Sequence, residues 1–366
     1  MFKIEKCPET MTARERVKRT FAFEKTDRVT IGYEANPVIH NNLCSALGIS
    51  PEDRLGLYRA LGVDYCDISA PYTGKPLFGQ IKDRAVNPLE GFVCRWVENS
   101  FGGYWDFCDF PLKGADPEAF YSYPVPDPDD YDYDAAYEAV SALKSEFAAY
   151  IGNPGIPDII NGCGRITGME DILCLLITED EAALDLIARR TKWQIGYFDR
   201  LLSKCKGKID FMWIGEDLGT QHTPLISREL YIKTLKPVHK QFADLAKAYN
   251  IPVIMHTCGS SSWAYKDFID IGINGVDTLQ PEAANMSPKY LADTFGGKLN
   301  FRGCISTAGP LAYGTPEEVT ENCRETLEIM MRVRGYHFAP THMIQDNSPV
   351  ENVLAMYNAA HKYGRY

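Results

Sequence analysis

From about residue 155 onward, short apolar runs alternate with longer stretches in which apolar positions recur at helical spacing. The runs at 157–161, 209–214, 251–255, 275–279, 299–303 and 336–339 predict strands, because a short run bounded by turn residues fits a strand covered on both faces. The stretches between them carry helix-start signals. Thr178-Glu179-Asp180-Glu181, Thr315-Pro316-Glu317-Glu318 and Ser348-Pro349-Val350-Glu351 read as capping boxes, and Ser287-Pro288 as an N-cap with proline at the first helical position. Such alternation predicts parallel strands joined by crossover helices, as a barrel or a doubly wound sheet. No GxGxxG or GxxxxGK[ST] turn follows any run, which removes the usual nucleotide-binding reading. The expected fold is α/β, a single (β/α)8 TIM barrel.

The first part of the chain is less regular. Residues 12–24 and 51–61 predict helices, and 63–69 a strand. Residues 74–110 read as β-hairpins decorated with Phe78, Phe92, Trp96, Phe101, Tyr104, Trp105, Phe107 and Phe110, and 111–133 as a Pro-, Asp- and Tyr-rich excursion. No Gly/Ser linker divides the halves. We therefore expect one domain over 1–366, with about 1–150 an N-terminal extension and a lid-like hairpin/loop insertion, and about 151–366 the regular β/α repeats.

Composition narrows the function. With 45% hydrophobic and 24% charged residues the chain reads as an ordinary globular protein. A net charge of -11 argues against nucleic acid and anionic membranes, which select basic surface. Residues 1–8 lack the apolar core of a secretory signal, and no later segment approaches a membrane span. Eleven cysteines stand singly with no CxxC pair, as in a reduced cytoplasmic enzyme.

Candidate chemistry gathers where the apolar runs end. The run at 251–255 ends in His256-Thr257-Cys258-Gly259, and period-2 geometry sends His256 and Cys258 to one face. Imidazole with thiolate suits zinc rather than calcium or magnesium. Asn161 and Arg165, Glu216 and Asp217, Gln280 and Glu282, Cys304, and His342 through Gln345 end the other runs. In parallel barrels chemistry sits at those C-terminal ends. His256, Cys258 and His342 are the candidate metal ligands, with Cys304 the fallback for the third. Glu216, Asp217 and Gln345 are candidate catalytic groups, and Asn161, Arg165, Gln221 and Gln280 candidate substrate contacts.

Assembled, the chain resembles the uroporphyrinogen decarboxylase superfamily. The resemblance rests on Met11-Thr12-Ala13-Arg14-Glu15-Arg16-Val17, Thr26-Asp27-Arg28-Val29, Gly215-Glu216-Asp217-Leu218-Gly219-Thr220-Gln221, His256-Thr257-Cys258-Gly259, Gly314-Thr315-Pro316-Glu317-Glu318-Val319 and His342-Met343-Ile344-Gln345. It implies a single (β/α)8 barrel. True decarboxylases carry an arginine-bearing segment shortly after the Asp-Arg pair to grip tetrapyrrole carboxylates. Here residues 30–37 contain no arginine and do contain Glu34, the wrong charge for an anionic substrate. The chain is more similar to the corrinoid-dependent zinc methyltransferases, whose HxC motif is completed by a later cysteine. His342 stands in that place, a less thiolate-rich and more Lewis-acidic set.

The resemblance implies methyl transfer between a small substrate, a methyl ether among the candidates, and the cobalt of a corrinoid on a separate protein. Zn2+ is the expected metal, and the acidic 127–134 stretch a candidate docking element for the corrinoid protein. Two alternatives stand beside it: a metal-free decarboxylase of a small carboxylated substrate using Arg165 or Arg302, and a non-catalytic corrinoid or tetrapyrrole binder.

Overall fold

A computed structural model describes residues 3–100 and 103–366; Phe101, counted among the hairpin aromatics, lies outside them, as do Met1 and Phe2. Eight strands carry the fold: β1 (Thr30–Ile31), β2 (Tyr65–Asp67), β3 (Ala148–Pro157), β4 (Phe211–Gly215), β5 (Val253–His256), β6 (Gly275–Asp277), β7 (Asn300–Ile305) and β8 (Tyr336–Pro340). They pair in the order β1-β8-β7-β6-β5-β4-β3-β2, every pairing parallel. This is a (β/α)8 barrel. Helices such as Glu181–Lys204, Lys236–Ala248, Pro316–Met330 and Val350–Tyr363 cover its outside. The strands from β4 to β8 are buried on both faces, which is why they read as unbroken apolar runs rather than alternating ones.

Inside the barrel, Tyr65, Tyr150, Phe211, Trp213 and Ile254 pack as one cluster, with Val17 and Phe21 of the helix Ala13–Phe21 plugging the N-terminal end. The predicted capping boxes are uneven. Thr315 forms one with Glu318, and Ser287 caps Pro288–Phe295. Asp180, rather than Thr178, caps Glu181–Lys204, and no side chain caps Val350–Tyr363.

The first 150 residues supply more of the barrel than their pattern suggests: β1, β2 and the start of β3 all lie there. The hairpin insertion is a separate antiparallel sheet of Ala85–Val86, Val93–Val97 and Tyr104–Cys108. Trp96 and Trp105 face each other across its strands, ring centroids 5.4 Å apart.

The strand expected at 157–161 is a correction. Pro157 ends β3, and Ile159–Thr167 is a helix. Asp158 turns the chain in the left-handed region at φ 40°. The Glu216 carboxylate then accepts the N–H groups of Ile159 and Ile160 at 2.8 and 2.9 Å, capping the helix from the next strand end. A cap supplied from that far along the chain leaves no local sequence signal.

The barrel closes between its two shortest edges. Asp64 N–H donates to Ile31 C=O at 2.9 Å, and Ile31 N–H donates to the Asp64 carboxylate at 2.7 Å. The same carboxylate pairs with two fully buried guanidinium groups, Arg16 and Arg28, and Arg16 also holds Asp27. Charges removed from water survive only when each is paired. We expect Asp64→Asn to cost about 3–5 kcal/mol by leaving buried cations short of charge, measured as the shift in urea midpoint; a shift within the range of surface substitutions would refute the seam's role.

Two buried imidazoles make the fold acid-sensitive. His337 points into the barrel 4.9 Å from the Phe21 ring, and burial, helped by the Arg302 charge, pushes it down to about 3. Burial pushes His239 down to about 3 as well. Unfolded histidine titrates near about 6.5. Between that value and about 3 the unfolded chain binds protons the folded chain refuses, so stability falls as pH drops through this window. His337→Phe should therefore lose less melting temperature than the parent between about pH 7.5 and about pH 5. Parallel melting curves for the two proteins would contradict this.

Candidate metal centre at the barrel mouth

β5 ends at His256, and the chain must then turn sharply over the neighbouring loop. Gly259 makes the turn at φ 69°, in the left-handed region, and a Cβ there would collide with the carbonyl oxygens of Gly219 and Thr220. Glycine is therefore required at this position. The turn leaves Cys258 Sγ 3.5 Å from His256 Nε2. His342 enters on the loop after β8, its ring centroid 5.7 Å from that of His256. One ligand atom from each of His256, Cys258 and His342 lies within 4.8 Å of the others, the one such group of three found among the described residues.

The His256–Cys258 spacing fits zinc. Zinc bonds of about 2.0–2.1 Å to nitrogen and about 2.3 Å to sulfur, at a tetrahedral angle, put N and S about 3.6 Å apart. Held by two imidazoles and a thiolate, a zinc ion would keep a fourth position open, the arrangement of a catalytic rather than a structural zinc.

The shell behind the candidate ligands is built for orientation. Asp277, at the end of β6, accepts from His256 Nδ1 at 2.9 Å, which leaves Nε2, facing Cys258, as the candidate metal-binding atom. Thr278 adds its hydroxyl 2.6 Å from Nδ1, held there at φ 61°, a strained conformation for a β-branched residue. Asp277 is fully buried; burial would raise its carboxyl, but Arg302 and His256 outweigh that and hold it down at about 2. Arg302 meets it at 2.6 Å, stacks 4.4 Å over Trp213 and donates to the Tyr65 hydroxyl at 2.9 Å. Burial pushes the Cys258 thiol up to about 11, a shift that coordination by a divalent ion reverses.

Asp217 sits beside the ligands. It accepts the Cys258 N–H at 2.8 Å and the Asn161 amide at 2.9 Å, and lies 3.9 Å from His256 Nε2. Burial opposes its ionisation, but His256, the Cys258 N–H and Asn161 hold it below the usual carboxylate range. Gln280 accepts the Gly259 N–H at 2.7 Å and so fixes the turn. Glu216 is turned away, spending its oxygens on the helix 159–167 and on His239 at 3.2 Å. Gln345 is exposed and donates to Met343 C=O, and Gln221 is exposed on the loop beyond Asp217. Cys304 lies in the hydrophobic core outside the converging group. Of the two cations named for a lyase, Arg302 is buried and neutralised by Asp277 with Glu34 at 3.4 Å. Arg165 is partly exposed, 3.4 Å from Asp158 and 5.2 Å over Phe107 of the hairpin sheet.

Asp277, Thr278 and Asp158 were not singled out by sequence. Asp277 had a usable signal, a carboxylate inside an otherwise apolar run, but the polar residues beyond the run drew the reading away.

Comparison with known proteins now bears on the site. The profile of the uroporphyrinogen decarboxylase (URO-D) family matches residues 111–363. The chain belongs to that family. Within it, the chain is 25% identical over 201 residues to a methylated-thiol–coenzyme M methyltransferase of Methanosarcina mazei, covering 54% of this chain and 49% of that one. It is 24% identical over 139 residues to the methylcobamide:CoM methyltransferase MtbA of Methanosarcina acetivorans, covering 38% of each. The matches thus span about half or less of these relatives' lengths. A solved methyltransferase from Methanosarcina mazei superposes with a TM-score of 0.67 at 16% identity, over 96% of this chain and 99% of that one, and shares the fold. No helix among the described residues is long and apolar enough to cross a membrane.

If Asp277 orients His256 as a ligand, Asp277→Asn should weaken zinc binding by about 10–100-fold, read by competition against a chromophoric chelator. Unaltered affinity would leave Asp277 only its pairing with Arg302.

Proposed function

We propose that the protein is a zinc-dependent methyltransferase that moves a methyl group between a small donor and the cobalt of a corrinoid carried on a separate protein. The observation that carries this reading is the His256/Cys258/His342 triangle at the barrel mouth. The names of the methyltransferase relatives support it. Bound there, zinc would supply Lewis acidity to the heteroatom bearing the methyl group.

The chain's own residues do the rest. Asp277 holds the proton on His256 Nδ1 and keeps Nε2 aimed at the mouth. Asp217, held ionised, fixes the Cys258 backbone and places Asn161 on the rim. A set with two imidazoles and one thiolate carries less negative charge than one with two thiolates, which favours activating a donor over presenting a thiolate acceptor. Demethylation of the small substrate is therefore the direction we assign.

Purified protein should hold about one zinc per chain, lost on His256→Ala or Cys258→Ser, and should methylate a Co(I) corrinoid protein from a panel of methyl ethers and methylated thiols. Full activity in a metal-free preparation would refute the zinc assignment. Corrinoid binding without turnover on any donor would replace it with a binding role.

A further inference from the structure

We propose that Asp158 is the catalytic acid of this mouth, handing a proton to the heteroatom that loses its methyl group, and that the donors it serves carry the methyl on oxygen. The inference rests on the methyl-transfer reading and gives it a substrate class.

Placement comes first. Asp158 follows directly on β3, whose last residue, Pro157, pairs with Gly215 of β4, which in turn pairs with His256 of β5. Two strand spacings, about 10 Å, separate the Asp158 and His256 positions, with the end of β4 between them. The Asp158 N–H donates to Gly215 C=O at 2.9 Å, and the left-handed φ of 40° fixes how its side chain leaves the backbone. The residue is 3% exposed. Its Oδ1 has no hydrogen-bond partner, and Oδ2 has only Arg165, at 3.4 Å.

A buried carboxylate with an empty oxygen is costly, whereas a carboxylic acid brings its own donor and lacks only an acceptor. The groups facing Asp158 decide which form is present. They are Glu216 and Asp217 from the end of β4, Arg165 and the neutral Cys163 thiol from the helix 159–167, and His256 from β5. The Glu216 charge acts on Asp158 with no hydrogen bond between the two carboxyl groups. Glu216 accepts Ile159 N–H and Ile160 N–H and lies 3.2 Å from His239 Nε2, whose Nδ1 is 3.3 Å from the Tyr231 hydroxyl. Burial pushes the Glu216 carboxyl up to about 8, but the two N–H groups at the helix N-terminus act against that, whereas Asp158 Oδ1 has no donor at all, so of the two the anion belongs on Glu216. Burial and then the Glu216 charge push Asp158 up to about 8, so Asp158 carries its proton at neutral pH. Asp217, already saturated by Cys258 and Asn161, is no proton source.

The step balances as follows. The methyl carbon takes an electron pair from the partner's Co(I) corrinoid, forming the carbon–cobalt bond. The carbon–oxygen bond breaks and its pair stays on oxygen. The Asp158 proton moves to that oxygen, releasing an alcohol or phenol, and the carboxylate regains a proton from solvent. A sulfonium donor leaves as a neutral thioether and needs no acid.

The test compares Asp158→Asn with the parent on a series of aryl methyl ethers of graded phenol acidity and on a methylsulfonium donor, with the same Co(I) corrinoid protein. The variant should lose about 10²–10⁴-fold on the least acidic leaving group, progressively less as acidity rises, and little on the sulfonium. In the parent, a neutral-carboxyl infrared band absent from the variant should persist near neutral pH. An equal loss on every donor, or absence of that band, overturns the proposal. No transfer by the parent from any donor overturns the methyl-transfer reading itself, and this one with it. If Asp158→Asn does not fold, the pH titration of the band in parent protein labelled with 13C-aspartate decides: ionisation in the ordinary carboxylate range overturns it.

Discussion

The structure turns on one carboxylate, that of Asp277. It is fully buried, and its two oxygens are divided between Arg302 below and His256 above. An anion in that position survives because a cation sits 2.6 Å away, and the cation survives because it lies on the Trp213 face and also meets Tyr65 and Glu34. The direction of the His256 ring is thus inherited from charges packed inside the barrel, not set locally by the loop that follows it. A site on the rim acquires in this way the rigidity of the core beneath it.

A second buried cluster does for the barrel wall what Asp277 does for the mouth. Arg16, Asp27 and Arg28, prominent in the N-terminal segments that resemble the family, converge with Asp64 where β1 and β2 meet. Their place is at the seam, away from the metal-ligand triangle. Glu34 likewise has an internal reason. The negative charge that made residues 30–37 unsuited to an anionic substrate lies against Arg302, which ties the segment after β1 to the interior.

How far sequence could reach follows from which interactions were local. The strands from β4 to β8 were legible because burial on both faces leaves unbroken apolar runs, and His256 with Cys258 because strand period fixes their common side. The capping box at Thr315 was legible because both partners lie within one turn. β1 was not, being two residues long and defined by its pairing to β8. Nor was the helix 159–167, since its cap is Glu216, a residue whose chemistry looked catalytic in the linear sequence. His342 ends a run of its own, and the folded chain brings it within 4.8 Å of the pair on β5.

The position of the three ligand groups has a mechanical consequence. His256 and Cys258 ride on β5, while His342 rides on the loop beyond β8, which is itself stitched to the segment after β1 through Ile344, Glu34 and Asn36. β8 and β5 are separated by two intervening strands, and β8 borders the side where β1 meets β2 through a single backbone bond and shared charges. An ion held by all three groups would therefore be a brace across the opening of the barrel, tying a well-paired wall to the one beside its weakest joint. Occupancy and the resistance of that joint to local opening then become linked quantities, each raising the other.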